Sequence, residues 1–197
     1  MTTTLFLSMA AFALAASISP GPVNIVALAS GVQHGFRHSL RHVTGATIGF
    51  CLLLLLIGLG LNEILIQWPH LTRVIQWAGV GFLLYMAWKL ARDNGEFGQK
   101  DRIRTPSALN GAIMQWLNPK AWLASIAGMG AYVADGDPGL VWQFAALYFV
   151  ICYGSVACWA GVGAFLQHAL NEPRRIRLFN RVMAALLIAS AVYLIRG

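Results

Sequence analysis

Charge is what this sequence has least of: only 11% of its 197 residues are Asp, Glu, Lys or Arg. A soluble domain of this size carries about 25%, so an ordinary globular domain is excluded. Acids are rarer still, seven against fourteen bases. They fall in loops or, for Glu63, at the end of an apolar run, and none lies within one. A divalent-cation carrier would need carboxylates, thiolates or imidazoles converging in the apolar segments, so no metal site is expected. Cysteine numbers three (Cys51, Cys152 and Cys158), an odd count lying wholly inside apolar runs. That excludes a disulfide framework and points to free, buried thiols. A membrane thiol–disulfide carrier would need two cysteines at the chain's helix breaks, which hold none. Ser125 and His168 have no spacing that suggests a nucleophile and its base, and no cofactor motif is present. An enzyme is therefore not expected.

What is there is apolar. Hydrophobic residues make up 58% of the chain and fall in runs long enough to cross a bilayer. The predicted architecture is an all-α integral membrane protein, residues 1–197 forming a single transmembrane domain. Six spans are expected: 5–32, 43–61, 71–91, 109–133, 140–167 and 178–195. Leu5 to Ala16 imitates the core of a signal peptide, but no Lys or Arg precedes it and apolar character resumes beyond a Pro-Gly-Pro break. It reads as an uncleaved first span.

The net charge of +7 does not indicate nucleic acid, because the bases cluster in short loops. Arg37, Arg41, Lys89, Arg92, Lys100, Arg102, Arg104, Arg174, Arg175, Arg177 and Arg181 share one side, against Arg73 and Arg196 with Glu63, Asp135 and Asp137 on the other. The positive-inside bias then puts both termini outside the cytoplasm. Trp68, Trp88 and Trp142 near span ends fit interfacial belts. His34, His38 and His42 flank the inner end of the second span, where interfacial anchoring is expected rather than proton relay.

Two spans are interrupted. The first contains Ser19-Pro20-Gly21-Pro22-Val23-Asn24, and the fourth contains Gln115-Trp116-Leu117-Asn118-Pro119-Lys120. Proline cannot donate a backbone hydrogen bond and breaks a helix, so Pro20, Gly21, Pro22 and Pro119 are read as architectural. Pro20 and Pro119 stand at matching places in pseudo-repeats 1–98 and 99–197. With three spans per repeat, the second enters the membrane in the opposite sense, a 3+3 inverted repeat with broken helices 1 and 4. Such plans place a substrate site at the midplane between the breaks.

Lys120 is the exceptional residue. The nearest charges are Arg104 and Asp135, so it lies deep in an apolar span. A charge there costs at least a few kcal/mol and faces a partner, a cavity or a substrate path. Unwound backbone at 19–24 offers N–H groups to an anion and carbonyls to an ammonium. Lys120, Asn118, Asn24, Ser19 and Gln115 are accordingly the candidate substrate-binding or gating residues. The bland readings stay open: Lys120 bonding carbonyls freed by Pro119 or snorkelling to one face, and the asparagines satisfying the breaks. Trp116 and Trp122 line a pocket or simply pack. Gly45-xxx-Gly49 and Ala157-xxx-Gly161 mark close helix packing within one protomer or between two, leaving a homodimer open.

Ser19-Pro20-Gly21-Pro22-Val23-Asn24-Ile25-Val26-Ala27-Leu28, with Gly35-Phe36-Arg37, resembles the first-span signature of the LysE/RhtB amino-acid exporters. Leu117-Asn118-Pro119-Lys120-Ala121-Trp122 is similar to that family's fourth-span signature. His34-Gly35-Phe36-Arg37, Trp77-Ala78-Gly79 and Ala87-Trp88-Lys89 look closest to the cysteine/O-acetylserine exporter branch. The chain departs from many members in having Val23, not asparagine, directly after Pro-Gly-Pro. The resemblance implies outward transport of a small amino acid (cysteine, O-acetylserine, threonine or homoserine type) across a bacterial inner membrane. A basic amino acid is the alternative, disfavoured because no buried acid is available to pair with it. Spacing alone says only that a small polar solute binds at the midplane.

Overall fold

The structure, a computed structural model, describes residues 2–61, 69–92, 107–133, 137–169 and 172–196. Glu63, Trp68, Lys100, Arg102, Arg104 and Asp135, used above for topology, lie outside the described residues. Among the described residues all regular structure is helical: α1 (Thr3–Ile18), α2 (Pro22–Leu56) ending in a π-helical turn (Ile57–Leu61), α3 (Pro69–Ala91), α4 (Ala108–Trp116), α5 (Pro119–Tyr132), α6 (Pro138–Ala169) and α7 (Pro173–Arg196). Five of the seven helices open on a proline. A proline at the first helical position loses no hydrogen bond, because that N–H has no intrahelical partner. Pro22, Pro69, Pro119, Pro138 and Pro173 therefore punctuate the chain at helix starts.

The expected loop between the first and second spans is absent. Gly35, with φ 74° and ψ 171°, is the one non-helical residue inside α2. Ser30 Oγ nevertheless lies 2.7 Å from Ser39 Oγ, whereas nine residues of straight helix would separate them by roughly 13.5 Å. The chain therefore doubles back at this glycine, which adopts positive φ without a Cβ clash. Arg37 and Arg41 lie on helix, not in a loop. α7 likewise starts five residues before the expected Leu178, on Pro173.

The two limbs of α2 form the centre of the bundle. The first limb meets α6 at backbone contact, since a Cβ on Gly31 would strike the Ala160 carbonyl and one on Gly163 the Leu28 carbonyl. The second limb meets α4 as closely, with Gly45 and Gly49 against Ala108 and Ala112 and Gly111 against the His42 carbonyl. The Gly45-xxx-Gly49 pair is thus packed within this one chain. Ala157-xxx-Gly161 is not the close approach: a Cβ on Gly161 would meet only the Phe36 ring at 3.8 Å. The contact falls three residues further on, at Ala160 and Ala164. α1 packs along α6, and α3 pairs with α7.

Phe50, Phe144 and Tyr148 pack together in the core, the Phe50 and Tyr148 rings 4.5 Å apart and tilted, Phe144 edge-on to Tyr148. The outside is apolar too: Phe165 is 79% exposed and Val150 70%. So broad an apolar surface suits hydrocarbon, not water. Two segments, Pro22–Leu61 and Pro138–Gln167, are long and apolar enough to cross a bilayer; the first contains the Gly35 reversal.

Candidate functional site

The first break is a run of backbone carbonyls, and each has a donor. α1 ends where Ser19 turns extended (ψ 141°), followed by Gly21, also extended, and Pro22 opening α2. The Ser19 N–H donates to the Ala15 carbonyl, and Ser19 Oγ to Ala16 at 3.2 Å. Asn24 Nδ2 donates to the carbonyls of Ser17 (2.8 Å) and Ser19 (2.9 Å). The Trp159 indole N–H reaches from α6 to the Ile18 carbonyl at 3.0 Å. Gly21 receives the Ile25 N–H. Helix ends leave such carbonyls without partners, and unpaired backbone groups away from water are costly.

Lys120 completes the set. Its ammonium, delivered from the first turn of α5, donates to the Ser19 carbonyl (2.6 Å), Ser19 Oγ (2.9 Å) and the Pro20 carbonyl (3.4 Å). The positive charge sits at the C-terminal end of α1, the favourable end of the helix dipole. Lys120 does satisfy carbonyls freed at a helix break, as one bland reading has it, but not those around Pro119. Its partners belong to the other break. Gly21 makes room for it, since a Cβ there would sit 3.1 Å from Lys120 Cδ and 3.3 Å from Nζ.

The second break caps itself. Asn118 Oδ1 accepts from the Lys120 backbone N–H at 3.2 Å, an N-cap for α5, and its amide donates to Gln115 Oε1 at 3.3 Å. Gln115 and Asn118 thus share one polar face, and both are buried. The Trp122 indole N–H closes the loose end of α4 by donating to the Trp116 carbonyl at 2.7 Å. Trp116 in turn donates to the Gly49 carbonyl. The two rings meet edge to face and line no cavity with Lys120, so packing and capping is their part.

Between the breaks lies a cavity of about 40 Å³, room for roughly three waters. Ser17, Gly21, Val23 and Asn24 line it from the first break, Gln115, Asn118, Lys120, Ala121 and Ala124 from the second. Phe50 of α2 and Tyr148, Cys152 and Val156 of α6 close it. Of the candidate residues, Lys120, Asn118, Asn24 and Gln115 all reach the cavity, and Ser19 lies against it through Lys120. Lys120 is the charged residue of this lining. Ser17 Oγ is buried there without a hydrogen-bond partner.

Three expectations need correcting. Cys152, placed by sequence in the fifth span away from the breaks, lines the cavity between them, because α6 crosses behind both. Cys158 is exposed, not buried; all three cysteines are free thiols. His42 is no interfacial anchor: only 2% exposed, it turns toward the Val23 backbone, and its Nε2 has no partner. Tight packing of the second limb on α4 draws it inside. Ser17, Tyr148 and Trp159 were missed. Ser17 stands two residues from the break, a signal that was available, whereas nothing in the local text marks Trp159.

The LysE type translocator family matches residues 14–197. The chain belongs to the LysE family. Curated relatives agree: a protein of Escherichia coli O1:K1 / APEC named cysteine/O-acetylserine efflux protein is 30% identical over 198 residues, covering 98% of each chain. Proteins of the same name from Salmonella paratyphi A and Salmonella typhi are 30% identical over 196 residues, again with 98% coverage. No solved structure matches. As a LysE translocator the chain is a membrane protein, in keeping with its apolar helices, and its relatives are efflux transporters rather than enzymes. The conjunction of broken helices and lysine lies within the matched region.

Proposed function

We propose that this LysE family member exports small neutral amino acids or their derivatives, of the cysteine, O-acetylserine, threonine or homoserine type, by alternating access around the two breaks. One observation carries the reading: Lys120 bridges the two breaks beside a small cavity that several polar side chains also line. A zwitterion taken from water needs a partner for each end. The ammonium of Lys120 suits its carboxylate, and the carbonyls of Ser19 and Pro20 suit its ammonium group. The cavity lining carries a single charge, and that charge is positive. A cationic amino acid or a metal ion would be repelled, which favours a neutral substrate over the basic one.

In this reading the chain makes six crossings as two inverted three-span repeats: α1 with the first limb of α2, the second limb, α3, then α4 with α5, α6 and α7. The end of the bundle that carries most of the basic residues faces the cytoplasm of a bacterial inner membrane and both termini face away. About 40 Å³ is too little for an amino acid, so the conformation described here is a closed one, and loading requires the breaks to separate. The Gly45–Ala108 and Gly31–Ala160 contacts bind each limb of α2 to a neighbour. They support motion of α1 and α5 against a rigid centre.

The test is counterflow in proteoliposomes, using a panel of labelled amino acids with wild type and Lys120→Ala. Accumulation of small neutral amino acids, lost in the variant, is expected. No accumulation of any amino acid by wild type would retire the reading.

A further inference from the structure

The three atoms that receive the Lys120 ammonium form a site in their own right. Ser19 O, Ser19 Oγ and Pro20 O are all neutral acceptors, at 2.6, 2.9 and 3.4 Å. A primary ammonium has three N–H donors and no acceptor, so the match in number is complete. No carboxylate takes part. The acceptors therefore bind an ammonium by hydrogen bonding and by the end of the α1 dipole, leaving the group free to exchange without breaking an ion pair.

We infer that this acceptor set is a primary-ammonium site, filled in the closed conformation by the protein's own Lys120 and taken over by the substrate's α-ammonium during export. The lysine acts as a tethered plug. Gly21 lets the plug lie flat over the break, and the about 40 Å³ beside it is what remains while it is seated. Exchange of one ammonium for another keeps the charge at the end of α1 constant. It also releases Lys120 to meet the substrate's carboxylate. Swapping the two cations in one step couples filling of the site to opening of the bridge between the breaks. Substrates with a free primary amine qualify; N-acylated and quaternary analogues do not.

This inference rests on the export reading for its physiological ligand, yet the site can be tested without transport. Lys120→Ala removes the Cγ, Cδ, Cε and Nζ atoms, which together are n-propylammonium. Purified wild type and Lys120→Ala are unfolded thermally in detergent with n-propylammonium, tetramethylammonium or sodium propionate at matched ionic strength. In the variant, n-propylammonium should raise Tm with the logarithm of its concentration, by roughly 3–6 °C at ten times its Kd. Tetramethylammonium and propionate should not, and wild type should not respond. Adding Ser19→Ala to the variant removes one of three acceptors and should weaken n-propylammonium roughly tenfold.

Lys120→Ser, which suits the start of a helix, is run in parallel against loss of folding. Folded variant recovered only when n-propylammonium is present supports the site. Protein that stays unfolded with every cation counts against it, as does an equal response to tetramethylammonium. If n-propylammonium binds as expected while wild-type proteoliposomes move no amino acid, the ammonium site stands and the export reading falls. If transport is found but neither variant binds n-propylammonium, the inference falls alone.

Discussion

The two helix breaks are built from similar residues and are stabilised in opposite ways. At the second break, between α4 and α5, the donors and acceptors come from the neighbourhood: Asn118 caps α5, Gln115 receives Asn118, and Trp122 serves Trp116. At the first, between α1 and α2, distant elements supply the donors: Lys120 from α5 and Trp159 from α6, joined by Asn24 from the next half-helix. A break that satisfies itself is a platform. One that depends on contacts with other helices changes shape when they move. On the export reading proposed above, the first break is therefore the switching one, and the second carries the lysine to it.

The largest effect to break this comparison should come from Lys120→Met. It keeps the stem but leaves the carbonyls of Ser19 and Pro20 short of a donor. Loss of a charged hydrogen-bonding group here should cost about 2–4 kcal/mol, seen as a lower Tm in detergent, and should abolish efflux from preloaded vesicles. Retention of both stability and efflux would mean the first break does not rely on α5.

Next comes a paired test of the two asparagines. Asn24→Ala strips donors from the carbonyls of Ser17 and Ser19, at about 1–3 kcal/mol. Asn118→Ala removes a helix cap, worth about 1 kcal/mol, and one long hydrogen bond to Gln115 Oε1. Equal Tm losses, or a larger one for Asn118→Ala, would erase the asymmetry between the breaks.

Trp159→Phe sharpens it further. The ring volume largely remains and one neutral hydrogen bond is lost, about 1 kcal/mol. Amide exchange should quicken around Ile18 and Ser19 while residues 115–118 stay protected. Trp122→Phe should do the reverse. The smallest change in stability is expected from Gly21→Ala, because the added methyl meets the flexible end of Lys120 and Gly21 itself is extended. The shift in Tm should correspond to no more than about 0.5 kcal/mol, yet transport should slow because the methyl displaces the seated lysine slightly without unseating it. Unchanged transport would show that the lysine's position over the break is incidental.

How far the text could be read depended on whether the determining physics was local. Both breaks were legible, because a missing N–H at Pro20, Pro22 and Pro119 acts on its own turn. The isolation of Lys120 was legible for the same kind of reason, since a charge deep in an apolar run must have a partner. Its actual partner was not, because 101 residues separate Lys120 from Ser19. The Gly45-xxx-Gly49 contact could be anticipated from the motif, but which face of α6 meets Gly31 could not: Ala157-xxx-Gly161 and Ala160-xxx-Ala164 look alike as strings. His42 and Cys152 went wrong similarly. Each position was read correctly along the chain and misplaced across it.

Composition and proline placement alone determined an apolar helical chain with two interruptions and one deep cation, because solvent preference and backbone hydrogen bonding are properties of short segments. Only the tertiary structure decided that the cation closes the opposite interruption and that a serine, a tyrosine and a thiol share its cavity. Those facts follow from how helices pack side by side, where a shift of one residue in register changes which groups meet.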